Sequence, residues 1–127
     1  MTKQRLCMAA LVALGAAWLC FGNDAASEED LDPLKVAADT HKLVFENKFV
    51  RVIQAQVPAG QLEPKHRHPH GLTVYLKDYT IEQKTFPDGK VTRNERKFGT
   101  VSWSEPIVHE VKNTSQVTSH AIRIELK

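Results

Sequence analysis

Cysteine is almost missing from these 127 residues, and the two that occur, Cys7 and Cys20, both fall in the first apolar stretch. Removal of that stretch would leave a chain with no thiol, which excludes disulfide stapling and thiolate chemistry. Charge of one sign is missing too. Lys and Arg number 17 against 15 Asp and Glu, and without Lys3 and Arg5 the count is 15 against 15. That balance argues against nucleic acid as a partner. Helical periodicity is absent beyond the first stretch, and no segment repeats at the periods of solenoids. What is present is ordinary for a globular chain: 42% apolar and 25% charged residues, enough for one core and too little for two.

The first stretch reads as a signal peptide. Lys3 and Arg5 precede an uncharged, mostly apolar run over 6–21, followed by polar Asn23 and Asp24. Small residues at Cys20 and Gly22 permit cleavage after Gly22, and cleavage after Ala25 is the other candidate. An uncleaved anchor helix and a lipoprotein acylated on Cys20 are the alternatives. The run is just long enough to approach a membrane span, whereas Leu19 stands where a lipoprotein needs a small residue. The expected organisation is a signal peptide over 1–22, an acidic linker or N-terminal extension over 23–40, and one β-domain over 41–127. The expected location is the periplasm or the exterior, with no membrane contact after cleavage.

From His41 onward, short runs rich in Val, Ile, Thr and Phe are broken by Gly, Pro, Asn and Asp about every ten residues, as in an all-β sandwich or barrel. Strands are predicted over 41–45, 49–57, 61–68, 72–77, 80–86, 90–98, 100–104, 109–112 and 118–126, with a short helix over 33–38. The last strand alternates most cleanly, Ile122, Ile124 and Leu126 against Ala121, Arg123 and Glu125, so one side faces a core. Asp88-Gly89 suits a tight hairpin needing positive φ. A closed antiparallel barrel is favoured because it removes exposed edges and leaves a mouth for a ligand. Trp103, Tyr75 and Phe49 are expected in the core.

Three of six histidines crowd into Pro64-Lys65-His66-Arg67-His68-Pro69-His70. Residues two apart on a strand share a face, so His66 and His68 can present both imidazoles to one ion. His109, on a later strand, is the natural third ligand once the barrel closes. His70 is an extra candidate that Pro69 turns outward. His41 and His120, at strand ends without ligand partners in sequence, read as ordinary polar residues. Glu63 and Glu110 neighbour the ligands, but alternation points them to the opposite face. The competing reading of the cluster is a solvated surface loop.

Gly60-Gln61-Leu62-Glu63-Pro64-Lys65-His66-Arg67-His68 resembles the first cupin motif, a glycine followed after five residues by His-x-His. Residues 99–113, with Gly99, Pro106, His109 and Asn113, are similar to the second. Together with flanking strands the resemblance covers about 43–126. It implies a cupin-type antiparallel β-barrel, or jelly roll, holding one divalent transition metal ion (Fe, Mn, Zn, Ni or Cu). Where the first motif carries its glutamate, this chain has Gly71, Leu72 and Thr73, and the second motif lacks its inner glycine. Three neutral imidazoles without that carboxylate leave a divalent ion its full charge, favouring anionic ligands and open positions. Three-histidine cupins, thiol dioxygenases among them, point the same way.

The expected function is therefore an exported metal-dependent, dioxygenase-like enzyme acting on a small anionic molecule. The alternatives are a non-catalytic module binding an anion or a sugar, and a metal-free interaction barrel. Cupin relatives pair barrels edge to edge, which would make this chain a homodimer with 49–57 as the pairing strand. Asn113 is expected in a turn, although Asn113-Thr114-Ser115 also has the form of a glycosylation acceptor.

Overall fold

A computed structural model describes residues 30–127; the predicted signal peptide lies outside the described residues. Nine strands form, each overlapping a predicted one: β1 (His41–Glu46), β2 (Val50–Ala55), β3 (Leu62–His68), β4 (Gly71–Tyr75), β5 (Tyr79–Phe86), β6 (Val91–Arg96), β7 (Val101–Ser104), β8 (Ile107–Asn113) and β9 (Ala121–Leu126). They make two antiparallel sheets, one in the order β1-β2-β9-β4-β7 and the other β3-β8-β5-β6. The two inner faces enclose a cavity of about 270 Å3. This is the jelly-roll arrangement expected of an all-β chain that hides most of its strand edges.

In β9 the inner face is not the apolar one. In β9 the buried residues are Ala121, Arg123 and Glu125, whereas Ile122, Ile124 and Leu126 face outward and are half-buried. Register carries the apolar outer side across all five strands, through Phe45, Val52, Ile124, Leu72 and Trp103. Phe49 and Trp103 are therefore exposed, contrary to expectation, and only Tyr75 of the predicted aromatic core is buried. Nor can the 49–57 strand pair barrels by its edge. β2 is hydrogen-bonded to β1 on one side and to β9 on the other.

The acidic segment is not a solvated linker over its described part. Asp32 caps the short helix α1 (Pro33–Val36), accepting from the Leu34 amide at 3.0 Å. Leu31, Pro33, Ala37 and Thr40 are buried, and the Leu31 carbonyl accepts from the Arg67 amide on the outer edge of β3. Leu31 and Pro33 supply the apolar anchor that a purely acidic reading overlooks, and the docked segment covers an edge that would otherwise be open.

Two glycines are fixed by backbone geometry. A β-carbon on Gly71 would lie 2.0 Å from the Ile124 carbonyl oxygen, so β4 can approach β9 only without a side chain there. Gly89 has φ +68° with open space around it. The loop it belongs to is longer than a two-residue turn. Lys84 pairs with Val91, the Thr85 amide bonds the Lys90 carbonyl, and no residue besides glycine has positive φ among those described. Gly89→Val should cost about 1 kcal/mol or more, entirely from the left-handed backbone. Urea denaturation measures this directly, and an unshifted midpoint would contradict it.

Candidate metal centre

β3 and β8 deliver the central histidines. His66 pairs with His109 across the strands, and His68 follows two residues later on the same face. His66 and His68 are 1% and 6% exposed. The His66 and His109 ring centroids are 4.6 Å apart, those of His68 and His109 5.4 Å, and those of His66 and His68 4.8 Å. The structure thus brings the three predicted residues together. It also adds a fourth. His41, at the start of β1, is buried with its ring 5.1 Å from His66 and 5.7 Å from His68. One nitrogen from each of His41, His66 and His68 lies within 4.8 Å of the others, a grouping able to hold a metal ion.

The Nδ1 nitrogens of three of these rings are engaged in a pattern that suits a metal. Nδ1 of His66 donates to the Pro64 carbonyl at 2.7 Å, Nδ1 of His68 to Glu125 Oε1 at 2.6 Å, and Nδ1 of His41 meets Glu63 Oε1 at 3.0 Å. A proton fixed on Nδ1 leaves the Nε2 lone pair free to coordinate. Nε2 of His109 stands 3.0 Å from Nε2 of His66. Two nitrogens bound to one ion at about 2.0–2.1 Å stand roughly 3–4 Å apart, so this contact fits a shared ion. His109 Nδ1 is buried without a partner.

Glu63 departs from expectation. It is 3% exposed inside the cavity, with Oε2 3.9 Å from His66 Nε2. The reason is a β-bulge. Glu63 pairs with Val111 and His66 with His109, so three steps on β3 match two on β8 and the alternation reverses. Thr40 Oγ1 donates to Glu63 Oε1 at 2.5 Å. Burial alone would raise the Glu63 carboxyl, but the His41 hydrogen bond and charge, with His66 and Thr40, hold it down at about 2. The interior therefore holds an ionised carboxylate, although Gly71, Leu72 and Thr73 at the motif's candidate positions supply none. The expectation of a wholly uncompensated divalent charge is corrected accordingly.

Burial, before any neighbouring charge, lowers the affinity of the central imidazoles for a proton. His66 is pushed below its ordinary value and His68 well below it, while His109 falls to about 2. All three are therefore neutral at pH 7, the form that binds metal. Behind His68, Glu125 Oε2 accepts from Arg51 Nε at 2.7 Å, and Arg51 Nη1 donates to Asp32 Oδ2 at 2.8 Å. A charged chain thus runs from the docked segment to a histidine of the site.

The other candidates lie elsewhere. His70 is exposed and does not line the cavity; it stacks on Trp103, at its rim, at 5.8 Å. His120 meets Gln54 at 2.8 Å. Asn113 is fully buried, and its amide nitrogen donates to the Val57 and Val117 carbonyls, so it holds the β8–β9 loop and offers no acceptor for glycosylation. Sequence reasoning missed His41, Glu63 and Glu125. The available signal for Glu63 was Pro64, since proline inside a strand marks an edge or a bulge.

No protein-family model matches the sequence, and no curated protein matches it in sequence. Solved structures do match. A cupin domain from Bordetella pertussis Tohama I superposes with a TM-score of 0.63 at 24% identity, covering 68% of this chain and 91% of that one. A conserved double-stranded β-helix protein from Klebsiella pneumoniae gives 0.55 at 20% identity, covering 68% and 74%. An RmlC-like cupin family protein from Methanocaldococcus jannaschii gives 0.54 at 14% identity, covering 68% and 77%. At these identities the likeness is one of fold.

Proposed function

We propose that this chain, a small single-domain protein of the cupin fold, binds one divalent transition metal ion through His41, His66, His68 and His109. We read it as acting on a small anionic molecule in the periplasm or outside the cell. The observation that carries the metal is the clustering of one nitrogen each from His41, His66 and His68, with the Nε2 atoms of His66 and His109 3.0 Å apart and the Nδ1 atoms of His41, His66 and His68 tied to fixed acceptors. When bound, the ion supplies Lewis acidity and open coordination positions, the chemistry of an oxygenase. The chain's own residues position it. Glu125 orients His68, Glu63 orients His41, and Glu63 adds one negative charge beside the ligands. The cavity walls of Val57, Ile81, Val111 and Tyr75 exclude water from a bound small molecule. The leader sequence supports export.

Native mass spectrometry of untagged protein tests both parts. We expect an N-terminus between Asn23 and Ser27 and about one metal ion per chain after reconstitution. His66→Ala, His68→Ala and His41→Ala should each lose the ion, while His70→Ala and His120→Ala keep it. Negligible metal in the wild type would end the metal reading, and an intact Met1 on soluble protein would end the export reading. Oxygen uptake with a panel of small organic acids then separates an oxygenase from a module that only binds.

A further inference from the structure

Arg123 is the interior charge that the metal centre does not use. It is 5% exposed, lines the cavity, and donates to Thr73 Oγ1 at 3.2 Å, Ser104 Oγ at 2.7 Å and the Pro69 carbonyl at 2.5 Å. All three acceptors are uncharged, and its Nε is buried with no partner. The interior carboxylates are engaged elsewhere, Glu125 by Arg51 and His68, Glu63 by His41 and Thr40. A guanidinium stays charged in any protein environment, and although Glu125 on the same face of β9 favours that charge through space, burial without a directly bonded counter-ion is unfavourable.

A second cation faces the same space from the other sheet. Arg96, on β6, lines the cavity, lies 5.0 Å over the Tyr75 ring, and likewise has a buried Nε without a partner. Two guanidiniums on opposing walls, each with an unused donor, flank a cavity of about 270 Å3. That is room for a small organic molecule and too little for a polymer segment.

We propose that Arg123 anchors the carboxylate of a small organic acid in this cavity, with Arg96 drawing the anion in from the opposite wall. The planar guanidinium fork matches a planar carboxylate, and the ligand supplies a directly bonded counter-charge where Arg123 otherwise has only uncharged acceptors. The inference rests on the reading of the cavity as a small-molecule site and not on the metal.

Calorimetric titration of succinate and of inorganic phosphate into metal-free and zinc-loaded protein tests it. We expect succinate to bind both forms, and Arg123→Met to weaken binding by about thirtyfold or more. Arg123→Lys should recover part of that loss, because the charge returns without the fork. Zinc retention should stay unchanged in both variants. If Arg123→Met does not fold, Arg96→Met, on a half-exposed edge strand, carries the test with a loss of about tenfold or more. Wild-type protein that binds no succinate in either form overturns the proposal, as does Arg123→Met that binds it unchanged. Tighter binding of phosphate than of succinate overturns the carboxylate assignment. Failure of the metal reading would show separately, as absent zinc with succinate binding intact.

Discussion

Glu125→Ala should destabilise the protein by about 3 kcal/mol, because it leaves buried His68 without its carboxylate and half-buried Arg51 with one partner in place of two. Arg51 would lose the 2.7 Å bond from Nε and keep only Asp32, while His68 would lose the acceptor 2.6 Å from Nδ1. Glu125 is 2% exposed, so water does not fill the gap. Glu125→Gln keeps the shape and one acceptor but not the charge, and should fold with a smaller loss. In that variant the predicted effect moves to the metal, with affinity falling by about 10–100-fold as His68 loses its fixed orientation. Urea denaturation of the alanine variant and competitive zinc titration of the glutamine variant measure the two effects. An alanine variant with the wild-type midpoint would show that the Asp32–Arg51–Glu125–His68 chain bears no weight in the fold.

The metal-free protein should lose stability steadily as pH falls from about 7 to 3. His66, His68 and His109 all bind a proton less readily in the fold than in the unfolded chain, where the ordinary value is about 6.5. Between the lowered values and 6.5 the unfolded state therefore holds more protons, and acid favours it. Glu63 acts in the same direction over a lower window, from the ordinary carboxyl value of 4.5 down to about 2. Each proton taken up on unfolding contributes a slope of up to about 1.4 kcal/mol per pH unit. His66→Gln should flatten the upper part of the profile and Glu63→Gln the lower. A denaturation midpoint constant from pH 7 to 4 would contradict the assignment of buried neutral imidazoles.

Most strands were readable because turn residues bound them and β-branched or aromatic residues fill the runs, β3 with its Leu-Glu-Pro-Lys-His-Arg-His being the exception. Every predicted strand overlaps an observed one. His66 and His68 were readable because a spacing of two fixes a shared face regardless of what the rest of the barrel does. His41 was not, since its relation to the others depends on how β1 lies beside β2, which no local pattern encodes. The final strand misled for a physical reason. Its isoleucines and leucine suggest a core, yet the barrel keeps Arg123 and Glu125 inside and turns the apolar row outward. An interior built to hold charge inverts the usual reading of alternation, and only the partners of those charges, drawn from Arg51, His68 and Thr73, show why that is tolerated.

The bulge between Glu63 and His66 makes the electrical character of the cavity a matter of reading-frame arithmetic. Side chains alternate with period two, so one residue more or less ahead of His66 sends Glu63 to solvent or brings it in, while His66 and His68 stay where β8 holds them. Gain or loss of a single codon there adds or removes one negative charge beside the histidines, together with the acceptor that holds His41 Nδ1. No point substitution at the histidines can do the same.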